Sequence, residues 1–216
     1  MKACIFDMDG LMFDTERIFV LAWDYAGEKL GLGKTGYMVM KTMGSNTEGC
    51  NRIWREEFGE DFDVDAMWDY TREFLEDYYS RHTVTAKKGL YELLTFLKAQ
   101  GYQLAVASST KKEKVEHHLA SANVRTYFDA VIGGDMVEKS KPEPDIYLQA
   151  AAALGVAPED CYALEDSRNG LLSAHRAGCK VIHVPDLWQP DDTVKAFILG
   201  PFENLLAVRD WLSSRK

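Results

Sequence analysis

The sequence predicts an α/β fold in which a parallel sheet carries helices on both faces and an all-helical cap is inserted after the first strand. Three observations point to it. Short segments that are apolar throughout alternate with helical segments from residue 83 onward. A block from 15 to 82 has helical periodicity and no convincing strand, and one apolar strand, Ala3 to Phe6, stands alone ahead of it. Uniformly apolar strands separated by helices belong to sheets buried on both faces.

Taken in order, the apolar run ACIF leads into two aspartates separated by one residue, Asp7 and Asp9, followed by Gly10. In the helical block the clearest segment is VDAMWDYTREFLEDYY, with Val64, Met67, Trp68, Thr71, Phe74, Leu75 and Tyr78 at helical spacing. Such a stripe reads as core packing. The helix GLYELLTFLKAQG follows, apolar at Leu90, Leu93, Leu94 and Leu97 and stopped by Gly101, and leads into the strand QLAVA. The alternation repeats: KVEHHLASA before DAVIGG, DIYLQAAAALG before CYALE, GLLSAHRAG before KVIHV, and a last amphipathic helix in ENLLAVRDWL. The expected division is a core of 1–14 and 83–216 with a helical cap of 15–82.

The 216 residues suffice for such a core with one insert. A formal charge of −9 argues against nucleic acid or an anionic membrane as a partner, since both reward positive charge. Small anionic substrates remain compatible, held by a metal ion and one or two local cations. Cys4, Cys50, Cys161 and Cys179 have no CxxC spacing and read as buried free thiols of a reducing compartment. No apolar run approaches the ~20 residues of a membrane span, and the first residues lack a basic leader, so a cytoplasmic location is expected.

The chemistry gathers at strand ends, where parallel sheets bind ligands. Asp7 and Asp9 are separated by one residue, so on a persisting strand both face one side. Two carboxylates so close repel, which a divalent cation or a division into one ionised and one proton-carrying acid would turn to use. A solvated, helix-capping turn is the alternative reading. LAVASST ends in Ser108, Ser109 and Thr110, hydroxyl donors before a helix start that suit an anion. KSKPEPD places Lys139 and Lys141 ahead of a helix beginning near Pro144, and CYALEDSRNG brings Glu165 and Asp166, hard oxygen ligands suited to Mg²⁺, to another strand end. Singly, these read as caps and solvated side chains; together they deliver acids, hydroxyls, a lysine and acids to one sheet edge.

DMDGLMFDTE, ASST, SKPEPDIY and LEDSRNG resemble the four motifs of the haloacid dehalogenase superfamily, in its helical-cap branch of phosphatases and β-phosphoglucomutases. The resemblance covers essentially the whole chain. It implies a Rossmann-like core and a Mg²⁺-dependent phosphatase acting on a small phosphorylated metabolite such as a sugar phosphate, as a monomer. It further implies that Asp7 is the nucleophile that becomes an aspartyl phosphate, and that Asp9 is the general acid and base. Ser108 would bind the phosphoryl group and Lys141 would neutralise charge on it. Mg²⁺ would lie on Asp7, the Asp9 main-chain carbonyl and Asp166, with Glu165 close by. Ser109 and Lys141 would contribute to substrate binding, as would Glu16 and the cap residues Ser45, Asn46 and Thr47.

Departures from the family patterns narrow the activity. The dehalogenases and phosphonate-cleaving members lack the second acid, which is present here as Asp9. The β-phosphoglucomutases carry a histidine twelve residues after the nucleophile and an arginine in the cap loop; here those positions are Phe19 and Thr47, with Arg52 and Arg55 further on. Hydrolysis is therefore expected over a phosphohexomutase, the alternative. A phospho-receiver also groups acids, a hydroxyl and a lysine, but receivers lack a helical insert after the first strand.

Overall fold

A computed structural model describes residues 2–215. Six parallel strands form one sheet in the order β3-β2-β1-β4-β5-β6. They are β1 (Ala3–Phe6), β2 (Gln103–Ser108), β3 (Ala130–Gly133), β4 (Cys161–Glu165), β5 (Lys180–His183) and β6 (Ile198–Leu199). Five match the apolar runs of the sequence. The sixth is two residues long and half-buried, too short to register as a hydrophobic period.

Alternation along β1 shows how the sheet divides two cores. Cys4 and Phe6 face a cluster built with Leu90, Leu93, Leu94 and Leu97 of α5 (Leu90–Ala99), Leu119 of α6 (Lys112–Ser121) and Val208 of α10 (Leu205–Ser213). Ala3 and Ile5 face the opposite cluster, with Ile146 and Tyr147 of α7 (Asp145–Leu154) and Leu171 of α8 (Arg168–Arg176). A short α9 (Asp192–Lys195) adds Val194 to that second layer. All four cysteines are free and buried.

Between β1 and α5 lie α1 (Glu16–Lys29), α2 (Met38–Thr42), α3 (Thr47–Phe58) and α4 (Val64–Arg81), with no named strand among them. This is the inserted helical cap, and it has its own core. Trp23 meets Trp54 edge to face at 5.0 Å, with Met38, Val39, Val64 and Met67 around them. The first half of the α4 stripe, Val64, Met67 and Thr71, is buried. Further along, Phe74 and Tyr78 are half-buried and stack on one another, and His82 continues the stack on Tyr78.

Two crossing segments join the cap to the core and pair with each other. The Asp14 N–H donates to the Thr85 carbonyl, and the Lys87 N–H to that of Met12, each at 2.9 Å. Asp186, buried in the segment after β5, accepts both Arg17 of α1 and Lys87 at 2.7 Å.

One glycine tests the packing of the sheet's outer layer. Gly89 precedes α5 with a φ of +91°, and a Cβ there would strike the backbone of Leu206 in α10. Gly89→Ala combines left-handed strain with a backbone collision, and is expected to cost about 2–4 kcal/mol. Urea unfolding with an unchanged m-value and a lowered midpoint is the check.

Candidate active site

The register of β1 fixes the site. Phe6 lies opposite Val106 of β2 and Leu164 of β4, so the residues at or just beyond the ends of all three strands emerge together. Asp7, Ser108, Glu165 and Asp166 are brought to one edge this way, each 6% exposed or less. Lys141 arrives from the loop before α7 and is 3% exposed, whereas Lys139 points to solvent.

Lys141 organises the carboxylates. Its Nζ donates to Asp7 Oδ1 and to Glu165 Oε1, both at 2.6 Å, and to the Ala107 carbonyl at 3.1 Å. Glu165 is satisfied on every side. Tyr147 Oη donates to its Oε1 at 2.6 Å, while the Asp166 and Ser167 N–H groups and Ser167 Oγ donate to its Oε2 at 3.2–3.4 Å. Gly170 leaves the room this requires, since a Cβ there would run into the Glu165 carboxylate.

Asp166 is the opposite case. Its Oδ2 is buried with no hydrogen-bond partner among the described residues. Gly10, with φ +77°, makes space for that oxygen. Oxygens of Asp7, Glu165 and Asp166 lie within 4.8 Å of one another. A buried, unpartnered carboxylate oxygen beside two more hard oxygen donors fits a divalent cation of the Mg²⁺ kind. Glu165 is close, but its lone pairs are already engaged.

Charge crowding shows in the acidities. Burial pushes Asp7 well above the usual carboxylate range, with Lys141 opposing and Glu165 and Asp9 reinforcing. Burial and the charges of Asp7 and Glu165 do the same to Asp166. Burial acts to lower the Lys141 ammonium, yet Asp7 and Glu165 outweigh it and hold it above its ordinary value. Such sites are where functional groups are found.

Asp9 sits in a cradle of hydroxyls. Thr15 Oγ1 donates to its Oδ1 at 2.9 Å; Ser108 Oγ and Thr110 Oγ1 donate to its Oδ2 at 3.2 and 2.8 Å. Hydroxyls rotate to donate or accept, so the cradle suits either protonation state. Thr110 is one of the strand-end hydroxyls read from the sequence, and here it serves Asp9. Thr15 and Tyr147 are absent from the residues expected from the sequence, because nothing local marks them as partners of Asp9 and Glu165.

The cap residues divide. Glu16 is half-buried beside the site, pushed up to about 8 by burial and by Asp9 and Asp7. Ser45 and Asn46 are half-buried and Thr47 is exposed. Asn46 Oδ1 caps α3 by accepting the Gly49 N–H at 2.9 Å. Ser109, expected at the substrate, turns its hydroxyl to the Gly44 carbonyl of the cap at 2.9 Å. Phe19 packs edge to face on Trp23 at 6.0 Å as part of the cap core. Arg52 is exposed and pairs with Glu56 across one helical turn at 3.8 Å.

Residues 4–184 match the family model described as haloacid dehalogenase-like hydrolase. The chain is 31% identical over 188 residues to the phosphorylated carbohydrates phosphatase of Thermotoga maritima, covering 85% of this chain and 84% of that protein. It is 33% identical over 209 residues to the protein CbbY of Rhodobacter capsulatus, covering 91% and 90%. Among solved structures, a mutant of CbbY from Rhodobacter sphaeroides in complex with xylulose-(1,5)bisphosphate superposes with a TM-score of 0.78, at 28% identity over 95% of each chain.

The acid cluster sets a pH dependence in the metal-free protein. A carboxyl whose folded pKa is raised stabilises the fold fully below its unfolded value, and that contribution is lost as pH rises through the folded one. For Glu16 the window runs from 4.5 to about 8. Scanning calorimetry of metal-free protein should therefore show this contribution as a Tm that falls as pH rises from 4.5 to about 8 and levels off above it. A divalent cation should flatten the slope by offsetting the crowded charge.

Proposed function

Because the chain belongs to the haloacid dehalogenase-like hydrolases and its relatives include proteins named as phosphatases, we propose that it hydrolyses a small sugar phosphate, with Mg²⁺, through a phosphoryl group carried on Asp7. The observation that supports this most is the Asp7–Lys141–Glu165 chain beside the unpartnered Oδ2 of Asp166.

In the first step an Asp7 carboxylate oxygen attacks phosphorus and the bond to the sugar oxygen breaks, Asp9 giving that oxygen its proton. In the second, Asp9 takes a proton from water as the water oxygen attacks phosphorus; the bond to Asp7 breaks and inorganic phosphate leaves. Dividing the transfer through a carboxylate nucleophile replaces one difficult step with two easier ones. Ser108 and Lys141 hold the phosphoryl oxygens, and Glu165 aims Lys141. Asp7, the Asp9 main-chain carbonyl and Asp166 would hold Mg²⁺, with Glu165 as a neighbour. The bound ion would withdraw charge from the phosphoryl oxygens and offset the repulsion among the carboxylates.

The sugar-phosphate class rests on the names of the relatives, which include a phosphorylated carbohydrates phosphatase and a hexitol phosphatase. It also rests on the short uncharged side chains of the Gly44–Thr47 loop. Phe19 belongs to the cap's aromatic core and the Thr47 position supplies no cation. A mutase must grip a second phosphate and handle a proton on the cap side, so these residues support hydrolysis. We also assign the block 15–82 as the unit that covers the site, and 1–14 with 83–216 as the unit that performs the chemistry.

Asp7→Asn should reduce turnover of an aryl phosphate in Mg²⁺ to background; retained activity would remove Asp7 as nucleophile. Asp9→Asn should keep Mg²⁺ affinity in a calorimetric titration, because only its main-chain carbonyl is called on, and lose about 10²–10⁴-fold in kcat. Chelation with EDTA should abolish turnover reversibly. A panel of phosphorylated metabolites tests the substrate class, with sugar phosphates expected to give the highest kcat/KM.

A further inference from the structure

The cap loop after α2 touches the core through its main chain. Met43 ends α2, and its carbonyl, one of those a helix end leaves without an internal partner, accepts Asn169 Nδ2 at 3.2 Å. The next carbonyl, of Gly44, accepts Ser109 Oγ at 2.9 Å. Gly44 has φ +75°, and a Cβ on it would meet Ser167 Oγ at 2.8 Å and Asn169 Cβ at 3.0 Å. No larger residue would let this loop lie so close to the core.

The two donors come from informative places. Ser109 directly follows Ser108 at the end of β2, and its neighbours Ser108 and Thr110 both donate to Asp9. Asn169 lies in the first turn of α8, three residues after Asp166, with Ser167 between them donating to Glu165. Each of the two core loops thus spends some groups on the reacting centre and one side chain on the cap. Both side chains grip adjacent carbonyls of the segment that leads into Ser45, Asn46 and Thr47.

We propose that Ser109 and Asn169 form a two-point latch that seats the Gly44 loop on the core, so that closure of the cap depends on the same loops that hold the phosphoryl group and the cation. They are positioning residues: neither needs to touch the substrate, and both act by fixing the cap loop over it. Ser109 thereby leaves the substrate-binding set expected from the sequence. A neutral hydrogen bond shifts an equilibrium between open and closed forms by about 2- to 10-fold, and two on adjacent carbonyls act on the same movement. Groups that bind only the closed arrangement gain apparent affinity in proportion to its population.

The kinetic part of the test rests on the phosphatase reading, so hydrogen exchange supplies a readout independent of turnover. In full-length protein with Mg²⁺ and inorganic phosphate, exchange at the amides of Ser45, Gly49 and Cys50 is compared for wild type, Ser109→Ala, Asn169→Ala and the donor-retaining variants Ser109→Thr and Asn169→Gln. The alanine variants should exchange about 2- to 10-fold faster there. Their kcat/KM for a hexose phosphate should fall by a similar factor, with Mg²⁺ affinity and Tm unchanged. At least one donor-retaining variant should recover both readouts. Exchange at wild-type rates in both alanine variants, or loss of kcat/KM accompanied by loss of Mg²⁺ affinity, would overturn the latch. Wild-type protein inactive on every phosphate ester would overturn the phosphatase reading, and the exchange data would still decide the latch.

Discussion

Lys141 places one ammonium between two buried carboxylates, and the arrangement of the sheet edge depends on it. Asp7, Glu165 and Asp166 converge where water is nearly excluded, and three bare carboxylates there would oppose folding. Burial alone would have driven Lys141 toward neutrality; the flanking acids reverse that. The charge cannot wander, because Glu165 is itself pinned by Tyr147, Ser167 and two main-chain N–H groups. A lysine is a compact point charge on a flexible stem, and here the rigidity comes from its partners.

Those partners converge because of the topology. β1 lies between β2 and β4, so the residue after β1 has neighbours from both sides of the switch in strand order. Parallel strands in register carry their carboxyl ends to one edge, and the side chains that emerge there need little further adjustment. What the strands do not supply, the loops do: Lys141 from before α7, and the hydroxyls of Thr15 and Thr110 around Asp9.

Much of this was legible in the chain. The period of the apolar runs gave five strands, and the acids and hydroxyls at strand ends, Asp7, Ser108, Glu165 and Asp166, are the ones the structure gathers at one edge with the loop residue Lys141. The α/β core with a helical insert and the family both follow from features spread along the whole sequence. The missed parts share a physical reason. β6 is too short for a periodic signal, and Thr15, Tyr147 and Asn169 act on groups far away in sequence or through a hydroxyl whose direction no local pattern records. The sequence also weighs every acid equally. Only the three-dimensional packing separates Glu165, with each oxygen occupied, from Asp166, with one left open.

The paired crossing segments have a consequence of another kind. With Asp14 bonded to Thr85 and Lys87 to Met12, the chain leaves the core and returns to it side by side. From the core's standpoint, everything between those bonds is a loop whose ends are already joined, and the entropic cost of lengthening such a loop grows only slowly. The insert packs on its own tryptophan-rich interior, to which the core adds Leu187 and Trp188 from the segment after β5. The architecture is therefore modular: the insert can change in length and interior with little effect on the sheet, because the chain crosses between the two on paired main-chain bonds, and only a few side chains, among them Asp186, Ser109 and Asn169, tie one to the other.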